Sequence, residues 1–104
     1  MGHIAVPSLD SPFVPASHSS IIIMELLQNA LQFKGVIITD ALDMGAITNA
    51  GYNSTSSLIT SFYAGNNVLL MPPNPIEAIN ILEKELQSNK SAKSLAENSF
   101  HLYF

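Results

Sequence analysis

Phe33-Lys34-Gly35-Val36-Ile37-Ile38-Thr39-Asp40-Ala41-Leu42-Asp43-Met44-Gly45 is the stretch from which the rest of this 104-residue chain is organised. A glycine releases an apolar run, Val36 to Thr39, that is β-branched throughout and without polar alternation. That pattern predicts a parallel strand covered on both faces. The run stops on one carboxylate, Asp40, and a second, Asp43, follows close behind. In parallel α/β proteins the carboxyl ends of strands face the ligand crevice, so Asp40 is the first candidate for chemistry.

Working outward, His3-Ile4-Ala5-Val6 reads as the end of a buried strand stopped by Pro7, and Pro7 to Pro15 is turn-rich. Ser17 or Ser19 can cap a helix running from Ser19 to Gln32, with Ile22, Ile23, Leu26, Leu27, Ala30 and Leu31 on one face and Lys34-Gly35 ending it. Ala41 to Thr48 is a loop or short helical turn, and Ser57 to Ala64 reads as a modest helix ending at Gly65. Asn67 to Met71 is a further apolar strand closed by Pro72-Pro73. Asn74, Pro75 and Glu77 form a helix start with a capping-box pattern, and Ile76, Ile79, Leu82 and Leu86 mark the expected buried side. Residues 88–104 remain unassigned. The sum is three consecutive βα units, which predicts an α/β fold with a parallel sheet, either small and open or part of something larger.

Composition narrows the function. A hydrophobic fraction of 47% supports a real core, whereas a charged fraction of 12% is low for a free-standing domain and points to apolar surface meant to be covered. With four Lys, no Arg and a net charge of −4, the chain has no basic stripe for DNA or RNA, so nucleic acid is not an expected partner. No apolar run approaches the ~20 residues of a membrane helix, and the first residues do not have the pattern of a signal peptide; no membrane partner is expected, and the compartment stays open. The absence of Cys removes thiolate metal sites and thiol nucleophiles. His18 and His101 have no partner at metal-ligand spacing, so no metal and no cofactor are expected.

Four separated motifs carry a resemblance. His3 to Asp10, Pro15-Ala16-Ser17 before a helix, the Phe33 to Gly45 stretch, and Ala64-Gly65-Asn66-Asn67-Val68-Leu69-Leu70-Met71-Pro72 stand in the order and spacing of glycoside hydrolase family three. Over residues 1–86 the chain resembles the last three βα units of that family's TIM-type (β/α)8 barrel domain, incomplete in this chain. The resemblance implies that Asp40 is the catalytic nucleophile of a retaining glycosidase acting on a carbohydrate. Ala41-Leu42-Asp43-Met44 is closer to the β-N-acetylhexosaminidase branch than to the β-glucosidase branch, which implies an N-acetylglucosaminide substrate, with a β-glucosidase-like activity as the alternative. It also places His3, Asp43 and Met44 as candidate substrate-binding residues. The family's proton donor lies on a His-containing loop upstream, and no such segment occurs here. The expectation is therefore a nucleophile-bearing fragment, inactive alone, that needs the missing barrel units or associates with itself. The competing reading is a non-catalytic fragment or small interaction domain pairing through exposed sheet edges.

Overall fold

Prolines and one left-handed turn decide how long each extended run can be. In the computed structural model, which describes residues 1–11, 14–43, 48 and 51–103, the runs expected as strands are extended but do not assemble into a sheet. The described residues form four helices and a single 3₁₀ turn at Ala16–His18, joined by extended connections that meet at two isolated bridges, Ala5 with Pro15 antiparallel and Ile38 with Val68 parallel. The expectation of three βα units of a parallel barrel is therefore corrected: among the described residues the chain is a small helical domain without strands.

The physical reasons are local. Pro7 and Pro15 lack the N–H a ladder requires, and Met71, at φ 48°, turns the third run left-handed just before Pro72. The middle run is covered on one face alone. Ile37 and Thr39 are buried, but Ile38 is 44% exposed and Asp40 is open to solvent, so an unalternating sequence carries an alternating burial.

The first helix, α1, spans Ile21–Ala30 and is wound wide, with π-type hydrogen bonding that continues as Leu31 N–H bonds the Leu26 carbonyl at 2.9 Å. Ser19 caps it, accepting from Ile22 N–H at 3.1 Å while its own hydroxyl donates to Asp10 at 2.6 Å. Gln32, at φ 56°, ends the helical stretch before Lys34-Gly35 is reached. Helix α2 spans Ser54–Ala64 and starts three residues earlier than expected, because Asn53 and Ser56 form a complete reciprocal capping box. Helix α3 spans Pro75–Ser88, with Asn74 accepting from Glu77 N–H at 3.2 Å. Its buried side agrees with expectation in part: Leu82 and Leu86 are half-buried, with Leu82 packed against the cluster of Leu42, Leu58 and Ala78, whereas Ile76 and Ile79 are 75% and 65% exposed and Ala78 takes the buried place beside that cluster. A small side chain lets the helix approach closely where a larger one would hold it off. Helix α4, Lys90–Tyr103, occupies the tail left unassigned above and packs on α3, with Ala92 fully buried.

Two small apolar clusters result, one of Ile23, Ile37 and Ala64, the other of Leu42, Leu58 and Ala78. A polar layer of Ser17, His18, Ser19, Ser57, Ser61 and Asn66 is buried with them. Asn66 donates to the carbonyls of Ser17 at 2.7 Å and Ser61 at 2.8 Å, joining the 3₁₀ turn to α2.

Gly65 closes α2 at φ 115°, and a Cβ there would lie 3.0 Å from Ile23 and 3.1 Å from Met24 of α1. Gly65→Ala should destabilise the chain by at least ~1–2 kcal/mol, the cost of a left-handed non-glycine residue before any crowding is added. Urea denaturation checks this, and an unchanged midpoint would contradict the packing described.

Candidate functional site

Asp40 follows the buried Thr39, whose hydroxyl accepts from Leu70 N–H at 2.9 Å and whose N–H donates to the Val68 carbonyl at 3.0 Å. Those two bonds tie the end of the middle run to the third. Asp40 N–H donates to the Met1 carbonyl at 2.8 Å, and the Met1 nitrogen donates to the Ile38 carbonyl. The backbone is thus held on both sides while the carboxylate stays exposed, with Oδ1 accepting from Ala41 N–H at 2.8 Å. A fixed backbone carrying an open carboxylate can present a nucleophile or a hydrogen-bond acceptor.

His3 is half-buried beside this run, and both its ring nitrogens have partners within the chain: Ser17 Oγ at 2.6 Å and the Ala41 carbonyl at 2.8 Å. Asp43 is exposed in the turn that follows Leu42. Met44, the remaining candidate, lies outside the described residues. Asp40 and His3 are therefore brought together through Ala41, and Asp43 shares their loop.

Sequence reasoning passed over His18. It is buried, its ring nitrogens lie 2.8 Å from Ser17 Oγ and 2.9 Å from Ser57 Oγ, and the Tyr52 ring packs on it at 4.6 Å. Burial, reinforced by the neighbouring His3, pushes its pKa down to about 4. Nothing in the local sequence signals this, because the partner Ser57 is 39 residues away. Asp10 is also held below the usual carboxylate range, by the Ser19 hydroxyl first and by Ser11 N–H second. Among the described residues no group of three or more His, Asp or Glu side chains is placed to hold a metal ion, and none of the helices is long and apolar enough to cross a membrane.

Comparison with known proteins gives a consistent set of likenesses. Residues 1–101 match the glycosyl hydrolase family 3 N-terminal domain. β-Hexosaminidase A of Pseudoalteromonas piscicida is 38% identical over 80 residues, which are 67% of this chain and 13% of that protein. The β-N-acetylglucosaminidase of Thermotoga maritima superposes with a TM-score of 0.84 at 30% identity, over 98% of this chain and 23% of its own. Zinc-bound CbsA from Thermotoga neapolitana superposes with a TM-score of 0.85 at 26% identity, over 98% and 22% of the two chains. The chain spans only a small part of the length of each.

The histidine at the centre of the polar layer makes stability depend on pH. Its pKa is depressed on folding, from the ordinary 6.5 to about 4, so the unfolded chain binds a proton that the folded chain refuses. The contribution of neutral His18 is complete above about pH 6.5, declines as the pH falls, and is lost below about pH 4. Urea midpoints should therefore decrease as the pH is lowered through that window, and His18→Gln should flatten the portion above about pH 5, where carboxylates add little. A parent midpoint constant across the window would contradict the burial described.

Proposed function

Because the chain belongs to the glycosyl hydrolase family 3 N-terminal domain family, we propose that it supplies the nucleophile segment of a retaining β-N-acetylhexosaminidase, with Asp40 as the attacking carboxylate. The observation that carries this reading is an exposed carboxylate on a backbone pinned from both sides, at the position where the family resemblance sets its nucleophile.

In such a reaction the Asp40 carboxylate attacks the anomeric carbon and the glycosidic bond breaks. The leaving oxygen takes a proton from a general acid ~5 Å from the nucleophile, and water then hydrolyses the glycosyl-enzyme ester. Asp40 must be ionised to attack. The Ala41 N–H on its Oδ1 orients it and leaves Oδ2 for the sugar. Asp43, which follows on the same loop, would meet a sugar hydroxyl, and Met44 would be a further substrate contact. The β-N-acetylglucosaminidase named in one solved relative and the β-hexosaminidase in another support an N-acetylglucosaminide over a glucoside.

The general acid comes from polypeptide other than these 104 residues. Exposed Ile4, Ile38, Leu70 and Met71 support the same view, since apolar side chains left open in a chain with so little charge favour cover by further polypeptide or by self-association.

The isolated chain should therefore show negligible hydrolysis of an aryl N-acetylglucosaminide. A longer polypeptide carrying it together with an acid-bearing segment should turn over. Asp40→Ala in that polypeptide should lower turnover by ~10³-fold or more, the scale seen when a nucleophile is removed. Turnover by the isolated chain, or activity that survives Asp40→Ala, would overturn the assignment.

A further inference from the structure

The bonds among His3, Ser17, His18 and Ser57 have only one consistent direction when both histidines are neutral. A backbone carbonyl can only accept, so the 2.8 Å contact with Ala41 requires the proton of His3 on Nε2. His3 Nδ1 is then bare and accepts the Ser17 hydroxyl at 2.6 Å. That uses the single proton of Ser17, whose oxygen must accept from His18 Nδ1–H at 2.8 Å. His18 Nε2 is left bare and accepts the Ser57 hydroxyl at 2.9 Å. Each tautomer follows from what the next partner can do. The chain begins on α2, crosses the 3₁₀ turn, and ends on the Ala41 carbonyl, in the peptide that joins Ala41 to Leu42.

We propose that His3 is a positioning residue: as the last member of a one-way hydrogen-bond chain from Ser57 through His18 and Ser17, it clamps the Ala41 carbonyl and so fixes the direction of the Asp40 carboxylate. Asp40 has few other means of being aimed. Its side chain is exposed, its N–H is held by the Met1 carbonyl, and its Oδ1 is bonded to Ala41 N–H, while His3 holds the carbonyl of the same residue in the next peptide plane, so the backbone conformation of Ala41 links the clamp to the carboxylate. Three of the four members, Ser17, His18 and Ser57, are buried, where a hydrogen bond is stronger than in water and an unpaired polar group is costly. The arrangement therefore resists breaking at any one link, and the position of α2 is transmitted to the exposed carboxylate. His3 would act on a sugar through Asp40, since each of its own ring nitrogens is already engaged. The catalytic meaning rests on the reading of Asp40 as nucleophile, but the clamp itself is measurable without turnover.

The test is ¹⁵N NMR of the histidine rings in the 104-residue chain at about pH 7.5, above the ordinary histidine pKa. The expected spectrum has His3 protonated at Nε2 and bare at Nδ1, and His18 protonated at Nδ1 and bare at Nε2. Ser17→Ala should shift the Ala41 carbonyl carbon and amide resonances and release the His3 tautomer, while Ala92 on α4 stays in place; Ser17→Thr should restore the parent values. His3 found bare at Nε2 in the unsubstituted chain overturns the proposal without any variant having to fold. Unmoved Ala41 resonances in a folded Ser17→Ala chain overturn it as well. In a longer, active polypeptide, Ser17→Ala should lower kcat by about 10–100-fold with little change in KM, the scale of a misplaced reacting group. Asp40-independent turnover alongside the expected ring spectrum would remove the catalytic half of the proposal while the clamp stands, which separates the two failures.

Discussion

The buried polar layer between α1, the 3₁₀ turn and α2 is the constraint on which the other features depend. Among the described residues, two apolar clusters of three buried residues each make a thin core. What joins them is a set of hydroxyl, imidazole and amide groups that have left water and must find one another. Pairing lets such a network specify one arrangement of the elements around it, and among the described residues Asn66 Oδ1 is its one buried side-chain atom without a partner. Asn66 bonded to Ser17 and Ser61, and Ser61 bonded back to the Ser57 carbonyl, hold α2 in register with the 3₁₀ turn. The first residues and Asp40 are placed against that unit.

Asp40, the proposed nucleophile, sits at the border between this ordered layer and open solvent. Thr39 is buried and bonded on the inner side of the middle run, whereas Ile38 and Asp40 face outward. One face of the run fixes geometry while the other is left for whatever meets it. That division agrees with a chain that spans 13% of a β-hexosaminidase and about a fifth of its solved structural relatives.

Much of this was legible from residue order. Gly65 closes α2 and Asn74-Pro75 opens α3 as the residues suggest, because capping and left-handed turns are written in single residues, although the Asn53 cap that starts α2 before Ser57 was missed. The order of the four motifs carried the family for the same reason, since each is a short run of specific residue types. The sheet was misread because Val36-Ile37-Ile38-Thr39 looks alike on both faces, and sequence cannot tell an apolar residue that is covered from one that is waiting for cover. The side of α3 was read correctly at Leu82 and Leu86 but not in its first turns, where Ala78 rather than the larger Ile76 and Ile79 makes the close contact. The histidine chain was out of reach because its members come from residues 3, 17, 18 and 57, and no periodicity links them. Asp40, by contrast, announced itself as a carboxylate at the end of a β-branched run.

The most direct measurement is a double-mutant cycle between His3→Ala and Ser57→Ala, two residues joined only through Ser17 and His18. If the polar layer acts as one unit that reaches the Asp40 loop, the two substitutions should be coupled by ~0.5–3 kcal/mol in urea denaturation despite the lack of direct contact. Strict additivity, within the few tenths of a kcal/mol expected of independent sites, would contradict it.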